Sequence, residues 1–372
     1  MRLAITGGRV IDPAVNFDGI ATLLVANGKI ADLLPEGAPF QADEVIDAKG
    51  LLVLPGLIDL HVHCFEGETS LGLRPDQIGV EQGITTIVDA GSAGSANFHL
   101  FLQQARAAKT RVLGFLNIAK DGLAKGRGEL ADLANLDPEA TIATLKAHAD
   151  VLVGIKARAS ASVVKTLGIT PIKIAKETAK RAGVPMMVHI GNAPPALPEV
   201  LELLEEGDIV THAWHGKPGG IFDENGLIPA AEAALKRGVI FDVGHGQSSF
   251  SFGTARRYLA EGRQIDTISS DLWKGNETGP VFSQLFTMSK LLHIGMPLPE
   301  VVAAASWRAA KAIRRESEIG ALTVGREADI SIVRLTQGTF PMVDSEGVPE
   351  AGTQAFEPVY TLRRGEIVQK ER

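Results

Sequence analysis

The sequence predicts an α/β fold: a (β/α)8 barrel of the TIM type, with a small β-sandwich domain formed from both chain termini. Two observations carry the prediction. Through the middle of the chain, apolar runs of strand length alternate with amphipathic helical stretches, a pattern that implies a parallel sheet. The two ends instead share a texture of short strands punctuated by glycine, and neither end alone has enough strands to enclose a core. The expected division is 1–54 together with 320–372 for the sandwich, and 55–319 for the barrel.

At the N-terminal end, "LAITGGRVID", "ATLLVANGKIADLL" and "DEVIDAKGLLVLPG" read as strands. Asn27-Gly28 between alternating apolar residues is a hairpin signal, because both central residues of that turn favour positive φ. The C-terminal end repeats the pattern in "ADISIVRL" and "PVYTLRRGEIVQ". "TGGRVID", "ANGKIAD" and "RRGEIVQ" share one form: strand, glycine, charged residue, strand. Between the ends run eight candidate strands: "GLIDLHVH", "ITTIVDAG", "RVLGFLNIA", "VLVGIKAR", "PMMVHIG", "DIVTHAWHG", "VIFDVGHG" and "TISSDLW". Helical stretches such as "NFHLFLQQARAAK", "PIKIAKETAKRAG", "PEVLELLEEG" and "PAAEAALKRG" separate them. Eight such units fit the roughly 250 residues of a typical barrel. A doubly wound open sheet is the alternative, but no glycine-rich phosphate loop follows the first strand.

Glycine is 40 of 372 residues, which suits many tight turns better than a few long helices. A net charge of -7 without any basic block argues against a nucleic-acid partner. No apolar run approaches the roughly 18 residues of a membrane span. The opening "MRLAITGGRVID" lacks the apolar core and cleavage site of a signal peptide. Cys64, the single cysteine, allows no internal disulfide, which suits a reducing cytoplasm. A cytoplasmic enzyme with a small-molecule substrate is expected; a homo-oligomer is compatible with this size, but no interface is legible.

In "GLIDLHVHCFEG", Asp59, His61 and His63 alternate along an otherwise apolar strand, so they share one face. Lys156 lies near the end of the fourth strand, His189 of the fifth, His212 of the sixth and Asp271 of the eighth. A lone histidine at a strand end is ordinarily a hydrogen-bonded core residue, a lone lysine a surface residue and a lone aspartate a helix cap. His61, His63, Lys156, His189, His212 and Asp271 together are a different matter. The C-terminal strand ends of a barrel converge on one mouth, where active sites are built, and imidazole and carboxylate are ligands for zinc and similar divalent ions.

The order H-x-H, Lys, His, His, Asp on successive strands resembles the amidohydrolase superfamily of metal-dependent hydrolases. The lead-in "GLLVLPGLIDLHVH" and the tail "IGALTVGREADISIVRL" extend the resemblance over nearly the whole chain. "HVHCFEG", "GIKAR", "THAWHGKPGG" and "DVGHGQSSFSF" resemble most the amidohydrolase/deacetylase subgroup, whose members are often labelled dihydroorotase-like. The resemblance implies two divalent metal ions, with zinc the expected element. His61 and His63 would hold the buried ion with Asp271, His189 and His212 the exposed one, and Lys156, carboxylated on its side-chain nitrogen, would bridge them. A bridging hydroxide would attack an amide or ester carbonyl, with Asp271 as general base and then acid.

Arg158, His215 and His245 are the expected substrate-binding residues, Arg158 because its fork suits a substrate carboxylate. Trp214, Trp273, Lys217 and Lys274 are further candidates for the rim. Dihydroorotases usually carry an arginine shortly after the H-x-H pair; here Cys64, Phe65, Glu66 and Gly67 follow, none of them basic. The expected substrate is therefore a small acylated carboxylic acid, an N-acyl amino acid or O-acyl hydroxy acid. Cyclic amide hydrolysis, and isomerase or decarboxylase chemistry without hydrolysis, are the alternatives; a binding protein that has lost activity is a third. Cys64 falls on the opposite strand parity and is expected to turn away from the metals. Asp59 is expected one layer deeper, orienting part of the site.

Overall fold

The computed structural model describes residues 2–126 and 128–371. Five strands open the chain: β1 (Arg2–Asp12), β2 (Phe17–Ala26), β3 (Lys29–Pro35), β4 (Glu44–Asp47) and β5 (Leu52–Pro55). Six more are β6 (Leu57–Val62), β7 (Ile84–Gly94), β8 (Arg111–Asn117), β9 (Leu152–Ala159), β10 (Met186–Ile190) and β11 (Ile209–Thr211). After a two-residue hairpin of β12 (Phe222–Asp223) and β13 (Gly226–Leu227) come β14 (Ile240–Asp242), β15 (Ile330–Val343), β16 (Pro349–Arg363) and β17 (Glu366–Lys370).

Both termini build one eight-stranded sheet in the order β17-β16-β15-β5-β1-β2-β3, with β4 also paired to β1. Asn27 and Gly28, at φ 52° and 74°, make the two-residue turn between β2 and β3. Arg364 and Gly365 do the same between β16 and β17. The similar "TGGRV" is not a turn. It lies within β1, where the register shifts between Ile5 and Gly8, so that β4 and β5 pair with successive stretches of the same strand. Leu3, Ile5, Val10, Leu23, Ile46, Val53, Ile330, Ile332 and Leu362 form the buried core of this region.

The central chain forms a parallel seven-stranded sheet in the order β14-β11-β10-β9-β8-β7-β6. The segment expected as an eighth strand closes the gap without becoming a regular one. Thr267 bridges Asp242 of β14, and Leu272 bridges Val62 of β6. Its middle is bent by Asp271, whose φ of 51° is incompatible with an extended ladder. Side chains also claim its hydrogen bonds: Ser270 N–H donates to Asp59 rather than to a neighbouring strand.

Helices follow the strands for local reasons the sequence makes plain. In Thr170–Ala182, Pro171 sits in the first turn, Ile172, Ala175 and Ala179 are buried on one face, and Gly183 ends the helix at φ 72°. Asp137 caps Pro138–Ala147 by accepting from Ala140 N–H. Between strands and helices lies one large apolar cluster; a second joins Ile58, Val88, Phe115, Val153, Met187 and Ile209 to Ala309, Ala310 and Ile313 near the end of the barrel chain. Among the described residues no helix is long and apolar enough to cross a membrane.

The long β15–β16 hairpin belongs to both regions. Ile330 and Leu362 lie in the terminal core, whereas Val333, Met342 and Phe356 lie in the barrel's apolar cluster. At its tip Ser345 Oγ bonds the carbonyl of Gly246, beyond β14, at 2.9 Å.

Candidate metal centre

The C-terminal ends of β6, β9 and β10 and the segments following β11 and β14 meet around one cavity of about 340 Å³. His61, His63, Lys156, His189 and Asp271 line it. His212 lies just behind, its ring centroid 4.4 Å from that of His189 and 5.1 Å from that of His61. All six residues expected from the sequence therefore converge. Oδ1 of Asp271 is 3.3 Å from Nε2 of both His61 and His63, and Nζ of Lys156 is 3.2 Å from Nε2 of His61. His61, His212 and Asp271 each offer a ligand atom within 4.8 Å of the others.

Hydrogen bonding decides what these atoms present to the centre. Thr211 Oγ1 donates to Asp242 at 2.7 Å and lies 2.9 Å from Nδ1 of His61. A hydroxyl has one proton, so it accepts from His61 Nδ1–H, and Nε2 of His61 carries a lone pair. His212 Nδ1–H donates to the carbonyl of Gly244 at 2.6 Å, which leaves a second lone pair on Nε2. That Nε2 is buried, with no hydrogen-bond partner among the described residues. Two imidazole lone pairs and a carboxylate oxygen thus face one another at short range. Such a set repels itself unless a cation lies between, and it fits a divalent metal ion.

Electrostatics agree. Burial pushes His61 and His189 well below the ordinary imidazole range, and His212 to about 4, helped by neighbouring cations, so all three are neutral imidazoles at pH 7. Burial tends to raise Asp271, but the His63 hydrogen bond and, in the acid range where the carboxyl titrates and His212 is protonated, the charges of His212 and Lys156 outweigh it and hold the carboxyl below its usual value. Burial brings Lys156 down to about 7 against the opposing pull of Asp271.

A surrounding layer of hydrogen bonds holds these side chains. Asp242 accepts from Thr211, Thr267 at 2.8 Å and Ser269 at 2.6 Å. Asp59 accepts from Ser270 N–H at 2.9 Å and from the Ser270 hydroxyl, immediately before Asp271. Burial raises Asp59 to about 7. Asp89 accepts from Ser92 N–H at 2.7 Å and Cys64 N–H at 2.9 Å, while Ser92 Oγ lies 2.9 Å from Nδ1 of His63. Cys64 itself sits in the apolar cluster outside the cavity wall.

Space matters as well. A Cβ on Gly91 would lie 2.6 Å from Cβ of Lys156, and one on Gly246 2.5 Å from Oδ2 of Asp271. Sequence reading passed over these glycines, along with Thr211, Asp242 and Ser92. A run of glycines at strand ends was the one available signal. His212 and Asp271 also hold positive φ, 72° and 51°, an uncommon state for residues other than glycine, found where surrounding structure over-determines it.

The three expected substrate-binding residues are placed differently. Arg158 lines the cavity, but its Nε and Nη2 grip Glu129 at 2.7 and 2.6 Å. His245 lies behind the wall, stacked on Phe250, with Nε2 2.8 Å from Nζ of buried Lys290. His215 is buried beside the loop it precedes, with Nδ1 accepting from Lys217 N–H at 3.2 Å. Of the rim candidates, Lys217 and Trp273 line the cavity, Trp214 is wholly buried and Lys274 borders a separate depression.

A barrel with buried histidines, a lysine and an aspartate at its mouth defines a metal-dependent hydrolase class. The sequence matches the Amidohydrolase family over residues 52–368, and the chain belongs to that family. Members generally use divalent metals, and this chain is a hydrolytic metalloenzyme acting on a small molecule. A deacetylase of Agrobacterium fabrum is 38% identical over 357 residues, covering 94% of this chain and 87% of that protein. Two crystal structures, titled as an adenine deaminase and a dihydroorotase, superpose with TM-scores of 0.93 and 0.92. Each is 35% identical over 99% of this chain, and over 99% and 98% of the respective neighbour. Such neighbours place the chain among TIM-type barrels. Curated dihydroorotases match only in part, as with that of Aquifex aeolicus, 30% identical over 51% of this chain and 42% of its own.

Proposed function

We propose that this enzyme removes an acyl group from a small acylated carboxylic acid, an N-acyl amino acid or O-acyl hydroxy acid. The observation that carries the reading is the convergence of His61, His63, Lys156, His189, His212 and Asp271 on one cavity, in a chain similar along its length to deacetylases. His61, His63 and Asp271 would hold one zinc ion and His189 and His212 a second, with Lys156 bridging as a carbamate. Bound there, divalent ions acidify water and polarise a carbonyl oxygen.

The chain's own groups account for the rest. Lowered to about 7, Lys156 is in part neutral amine at pH 7, the form that adds carbon dioxide and releases a proton. Asp271, ionised and on the cavity wall, is placed to take a proton from water and return it to the leaving group. Ser160, Asn192 and Gln247 supply polar wall for the substrate. The same reading takes the enzyme as cytoplasmic, without nucleic-acid or membrane partners, and able to form homo-oligomers. It also takes the terminal sheet as a sandwich domain of 1–54 and 320–372 against a barrel of 55–319.

Zinc-loaded enzyme should release acetate from N-acetyl amino acids or O-acetyl hydroxy acids, with the product identified by mass. Failure across both series would sink the reading. Dihydroorotate belongs in the same screen, because one close structural neighbour is titled a dihydroorotase. Its turnover at about 1 per second or faster, without acetate release from the other substrates, would replace deacylation by cyclic amide hydrolysis.

A further inference from the structure

The cavity's charge is unbalanced. Asp271 is the only carboxylate among its described lining residues, whereas Lys156, Arg158 and Lys217 all border it. Lys156 belongs to the metal centre, and the Nε–Nη2 edge of Arg158 is occupied by Glu129. Lys217 has a different setting. It is half-buried, and among the described residues its ammonium makes no hydrogen bond or ion pair; Asp271 is the one charge that acts on it appreciably. Its own charge reaches His189 and His212, which places the ammonium toward the centre rather than away from it.

The loop carrying it is built around His215. The imidazole is buried, and burial lowers it to about 4, so it stays neutral and its Nδ1 remains an acceptor across the working pH range. That Nδ1 accepts from Lys217 N–H at 3.2 Å. The chain then wraps the ring closely enough that a Cβ on Gly220 would lie 3.1 Å from Cε1 of His215. The backbone of Lys217 is thereby fixed to a buried post while its side chain stays available.

We propose that Lys217, held by His215, receives the carboxylate of the substrate and so restricts the enzyme to acylated acids over their neutral analogues. This rests on the deacylation reading above. It moves the anion-recognition role from Arg158 to Lys217, and gives His215 a positioning role in place of substrate contact. An ammonium in a half-buried cavity binds a carboxylate as a strong, charge-assisted pair.

The test uses zinc-loaded full-length enzyme with O-acetyllactate and N-acetylalanine against their carboxamides. Lys217→Gln should lower the acid-to-carboxamide ratio of kcat/KM by about thirtyfold or more, mainly through KM, and Lys217→Arg should restore much of it. His215→Asn should shift the same ratio in the same direction by less. An unchanged ratio in Lys217→Gln would overturn the inference, as would a native enzyme indifferent to substrate charge; neither result touches deacylation itself. If native enzyme hydrolyses none of the four, the deacylation reading fails. Calorimetric binding of lactate then decides Lys217 alone: weaker binding by Lys217→Gln supports the anion site, and equal binding removes it.

Discussion

Replacing Thr211 with valine probes the centre without touching a candidate ligand. The hydroxyl links Nδ1–H of His61 to the carboxylate of Asp242, at 2.9 and 2.7 Å, and both Thr211 and His61 are almost fully buried. Valine keeps the shape and removes the acceptor, leaving a buried N–H unpaired at a cost of about 1–3 kcal/mol. Asp242 retains Thr267 and Ser269 as donors, so the total should stay near the middle of that range, about 2 kcal/mol. The second consequence is chemical. Without Thr211 the proton of His61 is free to move to Nε2, the atom facing Asp271, and metal affinity should fall by about 10- to 100-fold. Urea unfolding of chelator-treated protein measures the first effect, and competition with a chromophoric zinc chelator the second. Thr211→Ser keeps the hydroxyl and should restore affinity. A Thr211→Val protein that is destabilised but holds zinc as tightly as the native enzyme would refute the tautomer argument.

Three further outcomes are expected. Lys156 is lowered to about 7 by burial from an ordinary 10.5, so above pH 7 the unfolded chain takes up a proton that the folded one declines. Metal-free stability should therefore gain a contribution of about 1.4 kcal/mol per pH unit between 7 and 10. Lys156→Met should remove that slope in urea melts across pH, and lower zinc stoichiometry in the loaded protein. Gly246→Ala puts a methyl 2.5 Å from Oδ2 of Asp271 at a φ of 54°, and should cut kcat by about a hundredfold or more while circular dichroism stays native. Cys64→Ser should keep its full zinc complement by elemental analysis and lose no more than about 1 kcal/mol, because the Asp89 carboxylate beside the thiol can accept from the new hydroxyl.

Several features were legible in the chain because they depend on local chemistry. The Asn27-Gly28 turn needs two positive φ angles, and the structure has them. The expected helix in "PIKIAKETAKRAG" follows from its apolar spacing and terminal glycine, and it spans Thr170–Ala182. The convergence of six residues from strand ends more than two hundred positions apart was legible through the barrel itself, since alternation of strands and helices brings those ends to one mouth. Cys64 lies outside the cavity as expected, although β6 ends at Val62 and it is the Asp89 carboxylate, not strand parity, that fixes the Cys64 backbone.

Contacts made by chain distant in sequence were not legible. Arg158 looked available because Glu129 lies on a different loop, 29 residues away, and nothing local announces their pairing. His245 looked like a cavity residue until Lys290 appeared behind it, held in turn by carbonyls of Pro280 and Val343. The eighth strand lost its regularity to the bend at Asp271 and to side-chain hydrogen bonds with Asp59. By itself, then, the sequence determined the barrel's strand order and the residues that meet at its mouth, because periodicity and turn chemistry are short-range. Only the tertiary structure decided which imidazole nitrogens carry lone pairs, and which of the cations bordering the cavity has no ion pair among the described residues. Proton placement and charge balance are properties of neighbours brought together by folding.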